Sequence, residues 1–303
     1  MELRVLRYFL AVTREENLSE AAKRLHITQP TLSRQMMELE EELGVKLFVR
    51  GRRSRKITLT EAGMYLRTHA EEVVLLTDKI QSAFVASGEK VTGDVYVGIG
   101  ETNSTRLLAQ AAQSLREEGH QIYYHFFSGN GSEAEEKLDK GLVDFALLLE
   151  PINPDKYEYF IMPLQEFWGV LMRKDAPLAK QEGIRAEDLW DKPLILSREI
   201  VVGKKFFNWL KKETNELNVV AFCNHAYNST FMTEGGLGYT FSLYREGLVS
   251  RDGELCFRPL EPRLEYDVHF VWKKNQVLSK AAKLFLNRIR EMISEEAPQA
   301  PAR

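Results

Sequence analysis

Gln29, Thr31 and Arg34 fall on the polar side of a predicted helix, off its apolar stripe. Their side chains suit the reading of base edges. Glutamine pairs with adenine and arginine with guanine, while the Pro30 ring and the Thr31 methyl can pack on thymine methyl groups. Thr28 and Ser33 flank them and suit phosphate oxygens. Further along, Arg50, Arg52, Arg53 and Arg55 crowd a stretch between Leu43 and Thr60 that holds six Lys or Arg and no acid. Such a cluster suits phosphates or the minor groove. Residues 1–60 carry twelve Lys/Arg and eight Asp/Glu, a balance of +4 in a chain of net charge −3, so the remainder stands at −7. A basic end on an otherwise acidic chain is the electrostatic footprint of a polyanion partner.

A second polar set is Thr102, Asn103, Ser104, Ser128, Asn130, Ser197, Arg198 and Thr230. These residues fall where strands are predicted to end or helices to begin. Helix N-termini bearing Ser, Thr or Asn suit an anionic group, and Arg198 adds a charge-assisted partner. The ligand expected is a small polar or anionic metabolite.

Other chemistries lack their residues. Cys223, Cys256 and the six histidines show no zinc spacing, and no G-x-S-x-G nucleophile motif occurs. Gly98-Ile99-Gly100 is half of a dinucleotide fingerprint, but Asn103 stands at the third glycine position. No enzyme activity, metal or cofactor is expected. Two cysteines are too few for a disulfide framework, and they read as incidental thiols. No run of roughly 18 uncharged apolar residues could span a bilayer. The start, Met1-Glu2-Leu3-Arg4, lacks the apolar stretch of a secretory signal. A cytoplasmic protein without a membrane partner is expected.

The elements that must position these residues follow from periodicity. Residues 2–15 read as a helix with Leu6, Phe9, Leu10 and Thr13 on one face. Ser19 caps a second helix through Leu25, and Thr28 caps a third with Pro30 in its first turn. Leu32, Met36, Leu39 and Leu43 form the third helix's buried stripe, and Gly44 ends it. Two short helices joined by a tight turn make a helix-turn-helix. Lys46–Arg50 and Lys56–Leu59 then form a hairpin with a basic tip, so residues 1–60 read as a winged helix. Thr60 caps a long helix to about Ser87, stopped by Gly88 and about 40 Å long. Along it Leu66, Ala70, Val73, Thr77, Ile80 and Phe84 alternate spacings of four and three, a coiled-coil seam for a second chain.

From residue 89 the pattern becomes alternating strands and helices, which implies parallel sheets with right-handed crossovers. Lobe I is predicted at 91–162 and 267–295, and lobe II at 163–266. The fold class is α/β with an α-rich N-terminal domain: winged helix-turn-helix, linker helix over 61–88, and a two-lobed domain over 89–303 like that of periplasmic binding proteins. Ligands in such folds sit at the carboxyl ends of strands, between the lobes. A solute-binding protein of the two-lobed periplasmic type, without gene-regulatory activity, is the alternative. The basic winged domain argues against it.

The chain also resembles the LysR-type transcriptional regulators. The matching residues are Leu6-Arg7-Tyr8-Phe9, the run from Ser19 through Thr28-Gln29-Pro30-Thr31-Leu32-Ser33-Arg34-Gln35, Leu39 to Phe48, and Leu59-Thr60-Glu61-Ala62-Gly63. The resemblance implies a regulator that binds double-stranded promoter DNA and responds to a small-molecule effector in the interlobe cleft. It implies linker helices that pair subunits, and effector domains that pair those dimers into a homotetramer.

Overall fold

The computed structural model describes residues 1–50, 56–84, 90–197, 204–245, 247–250 and 253–296. The chain forms two compact units, Met1–Phe84 and Val85–Arg303.

In the first unit α1 (Leu3–Glu15), α2 (Leu18–Arg24) and α3 (Gln29–Leu43) precede a two-stranded ribbon, β1 (Phe48–Arg50) with β2 (Ile57–Leu59). The ribbon is antiparallel, with Phe48 opposite Leu59 and Arg50 opposite Ile57. The cap of α2 is Asn17, whose side chain accepts from Ser19 and Glu20 N–H, so the predicted Ser19 cap is corrected. Asn is a strong cap and stands one residue before the helix. Thr28 and Thr60 cap α3 and the long helix α4 (Glu61–Ala83) as predicted. Ser87 and Gly88, the predicted end of that helix, lie outside the described residues.

The core of this unit is Leu6, Phe9, Val12, Leu32, Met36, Leu39, Leu47 and Ala70 with their neighbours. Val12, not Thr13, completes the α1 face. Leu43 is 38% exposed. In its place Glu40 turns inward, because its carboxylate accepts the N–H groups of Leu47 and Phe48 and pairs with Lys46. Gly63 lets α4 press against the ribbon, since a Cβ there would stand 2.2 Å from the Leu47 carbonyl oxygen.

The second unit holds two sheets. One has the order β4-β3-β5-β13-β6, built from β3 (Thr92–Ile99), β4 (Gln121–Ser128), β5 (Phe145–Leu149), β6 (Tyr157–Ile161) and β13 (Val268–Lys273). The other runs β11-β7-β10-β8-β9, with β7 (Glu166–Arg173), β8 (Leu194–Leu196), β9 (Val219–Phe222), β10 (Tyr239–Leu243) and β11 (Leu255–Pro259); β12 (Glu265–Tyr266) pairs with β7. Helices α5 (Thr105–Glu117), α6 (Gly131–Asp139) and α9 (Lys280–Glu296) belong with the first sheet, and α7 (Lys204–Leu210) and α8 (Ala226–Glu234) with the second. Each sheet has its own apolar core. The chain crosses between the sheets twice, before Glu166 and after Tyr266, and these two residues are register partners. The crossings are therefore zipped together at one point.

Candidate nucleic-acid interface and interlobe cavity

The first turns of α3 present Thr28, Gln29, Pro30, Thr31 and Arg34 to solvent, with Ser33 half-buried. The buried Leu32 and Met36 turn this face outward. The Thr28 hydroxyl lies 2.8 Å from that of Thr31 and fixes the start of the helix. Glu38 takes one hydrogen bond from Arg34 Nε, at 2.8 Å, and another from Gln35 Nε2, at 2.6 Å. Donors that could reach bases are thus held along one helical edge. Glu40 anchors the far end of α3 to the ribbon. Burial pushes its carboxyl upward, but hydrogen bonds from Lys46 and from the Leu47 and Phe48 amides hold it below the ordinary carboxylate range. The Arg50 side chain, Arg52, Arg53 and Arg55 lie outside the described residues.

The predicted seam on α4 divides. Ala70 is 2% exposed, sealed against its own unit, and Leu66 packs there as well. Ala70 is therefore corrected from a seam residue to a core residue. An ion pair between Arg7 and Asp78 further ties α1 to α4. Val73, Ile80 and Phe84 are exposed, the last at 84%, together with Tyr65 and Leu76. Thr77 spends its hydroxyl on the Val73 carbonyl oxygen, 2.8 Å away.

In the second unit a cavity of about 280 Å³ lies between the two sheets. Its walls include Leu147, Ile152, Trp168, Phe241 and Val268, and the polar residues Thr102, Asn130, Ser197, Ser229 and Arg245. Of the predicted ligand residues, Thr102, Asn130 and Ser197 line it. Ser128 is exposed on the end of β4 and does not. Ser104 is 1% exposed and does not line it, and Thr230 is buried with its hydroxyl on the Tyr227 carbonyl oxygen. Arg198 lies outside the described residues.

The anion sites expected at helix N-termini are already filled by the protein's own carboxylates. Glu166, from β7, accepts from Thr102 Oγ1 and the Asn103 N–H, each at 2.7 Å, and from Asn103 Nδ2 at 3.3 Å. Asn103 Nδ2 also reaches the Tyr244 carbonyl oxygen. Glu101 accepts the Ala226 N–H at the start of α8, at 2.7 Å. At α6, Asn130 and Glu133 form a reciprocal capping box. Thr102 and Asn103 thus join the lobes.

Sequence reasoning missed Glu166, Arg245 and Trp168. Antiparallel pairing sets Leu243 opposite Trp168. Continuing that register puts Arg245 opposite Glu166, and their side chains approach to 3.3 Å. Alternation then puts Trp168 and Arg245 on the same face as Glu166. Burial pushes the Arg245 guanidinium below its usual value, against the opposing pull of Glu166 and Glu101. Arg245 Nε and Trp168 Nε1 are both buried without a hydrogen-bond partner. A buried polar group left unpaired costs about 1–3 kcal/mol, more for a charged one. The alternation Tyr239-Thr240-Phe241-Ser242-Leu243 after Gly236 was the available signal for the strand that leads to Arg245.

Comparison with known proteins bears on both units. The family described as bacterial regulatory helix-turn-helix protein, lysR family, matches residues 3–64, and the LysR substrate binding domain matches residues 88–294. The uncharacterized HTH-type transcriptional regulator YvbU of Bacillus subtilis (strain 168) is 24% identical over 298 residues, 98% of this chain and 100% of that one. The Hca operon transcriptional activator HcaR of Escherichia coli (strain K12) is 26% identical over 302 residues, 97% of this chain and 99% of that one. In solved structures, full-length CbnR complexed with its target DNA superposes with a TM-score of 0.70 at 21% identity, covering 96% of this chain and 99% of that chain. Among the described residues no helix is long and apolar enough to cross a membrane.

Proposed function

Because the chain belongs to the LysR family of transcriptional regulators, with a DNA-binding helix-turn-helix domain and an effector-binding domain, we propose that α3 reads promoter DNA through Gln29, Pro30, Thr31 and Arg34. Thr28, Ser33 and the wing residues Arg50, Arg52, Arg53 and Arg55 serve the phosphates or the minor groove. The observation that carries this reading is the exposed polar edge at the start of α3, backed by a closed apolar core. The protein acts in the cytoplasm, where promoter DNA is.

Two copies pair through Val73, Ile80 and Phe84, joined by Tyr65 and Leu76 rather than by Ala70. This supplies a second DNA half-site. Further apolar surface on β4 (Tyr123, Phe126) and α8 (Tyr227, Phe231) supports pairing of effector domains into a dimer of dimers.

A small metabolite in the interlobe cavity controls DNA binding or activation. It shifts the assembly as far as its affinity differs between two lobe arrangements. A solute-binding protein without regulatory activity would leave the helix-turn-helix domain without a role. Electrophoretic mobility shift with the natural promoter region, with and without a metabolite panel, tests the reading. A retarded complex that one metabolite alters supports it, and absence of any complex overturns it.

A further inference from the structure

We propose that the interlobe cavity takes a compact monocarboxylate with an apolar body, its carboxylate set against Arg245 and Trp168 rather than against a helix N-terminus. This rests on the effector-binding reading above and gives that site a ligand class.

The Arg245 and Trp168 side chains line the cavity, and the donors Arg245 Nε and Trp168 Nε1 are buried with no hydrogen-bond partner. A ligand oxygen would satisfy each of them. The places where a helix N-terminus could hold an anion are taken by Glu101 and by the Asn130–Glu133 box, and the loop entering α5 is taken by Glu166. Among the described residues, the buried side-chain atoms of the cavity lining that lack a partner are these two donors, on the β7–β10 face.

The walls limit the charge. Glu101, Glu135 and Glu150 also line the cavity, and each already receives a donor, from Ala226 N–H, Tyr157 Oη and Lys205 Nζ respectively. A second negative charge on the ligand would meet these carboxylates at short range. A single negative charge shares the Arg245 guanidinium with Glu166. Leu147, Ile152, Phe241 and Val268 favour hydrocarbon over further polar groups. About 280 Å³ lies just below the common range for ligand sites, roughly 300–1,000 Å³, so the body is compact.

The position also couples the ligand to the lobes. Arg245 Nη1 holds Glu166, and Glu166 holds Thr102 and Asn103 of the opposite lobe. A carboxylate on Nε draws on the same guanidinium and changes the strength of that interlobe bond.

The test uses the full chain with hexanoate, adipate, hexanamide and hexylamine, at fixed ionic strength, by calorimetry and thermal shift. Hexanoate is expected to bind saturably and raise Tm. The dianion, the amide and the amine are expected to bind at least about tenfold more weakly. Arg245→Gln should weaken hexanoate at least about tenfold, and Trp168→Phe, which keeps a ring and removes the N–H, by about three- to tenfold. Failure of hexanoate to bind, equal binding of hexanamide, or tighter binding of adipate or hexylamine overturns the ligand class. Unchanged hexanoate affinity in Trp168→Phe overturns the location, and that variant carries the test if Arg245→Gln does not fold. Effector control itself is read separately in the mobility-shift panel. It stands if any other compound alters the DNA complex, and it fails only if none does.

Discussion

The Glu166 carboxylate meets the Arg245 guanidinium at 3.3 Å, beside the point where the two interlobe crossings pair. At 1% exposure, Glu166 is a buried charge with donors from both lobes. It is a polar tie between them. Removing one partner from a buried pair costs about 3–5 kcal/mol, because the other charge is left uncompensated. Glu166→Gln is therefore expected to lower the Tm of the effector domain by about 6 °C or more in a thermal melt. An unchanged Tm would mean that the tie contributes nothing.

Glu40 gives a pH test in the other unit. Its folded carboxyl lies below its ordinary value of 4.5, so the folded state favours the ionised form. The stabilisation is complete above the unfolded value and is lost as pH falls through the lower folded value. Glu40→Gln should be less stable than the wild type at neutral pH, and the two should converge well below pH 4.5 in chemical denaturation of the winged unit. A constant gap across that range would assign the effect to packing.

DNA recognition divides between α3 and the wing. Arg34→Ala should cost about 1–3 kcal/mol and relax base preference at one position. Arg53→Ala should weaken all sequences similarly and flatten the salt dependence. Equal profiles of both variants across a panel of operator variants would contradict this division.

Assembly and folding separate on α4. Ile80, 52% exposed, has little to lose within its own chain, whereas a charge buried between chains is strongly unfavourable. Ile80→Asp is expected to halve the sedimenting mass at low micromolar concentration while keeping a native Tm. Ala70→Leu should instead overpack the unit's own core, by about 1–3 kcal/mol, and lower Tm. Loss of assembly without loss of stability in Ala70→Leu would return Ala70 to the seam.

Neighbouring residues were enough to place the caps Thr28 and Thr60, the glycine stop at Gly44, the apolar period of α3 as far as Leu39, and the strand over Leu194–Leu196. These features rest on contacts a few residues apart, and their signals lie in local spacing. The dense Ser19–Phe48 pattern likewise announced the winged domain. Which face of α4 would be buried was different. The spacing of Leu66 and Ala70 fits a seam toward a second chain as well as a face toward the unit's own core, and packing in that core claimed them. Glu40 shows the same rule: a charged residue turned inward because Leu47 and Phe48, beyond the end of the helix, had N–H groups to satisfy. At the cleft, Ser, Thr and Asn at helix starts suggested anion sites, and the protein's own carboxylates stand at Thr102, Asn103, Ala226 and Asn130. Asn103 and Glu166 are 63 positions apart, on different lobes. No periodicity links such residues, because their attraction arises only after two separately formed sheets bring them together. Only tertiary packing could fill those sites and leave Arg245 Nε and Trp168 Nε1 as buried donors without a partner.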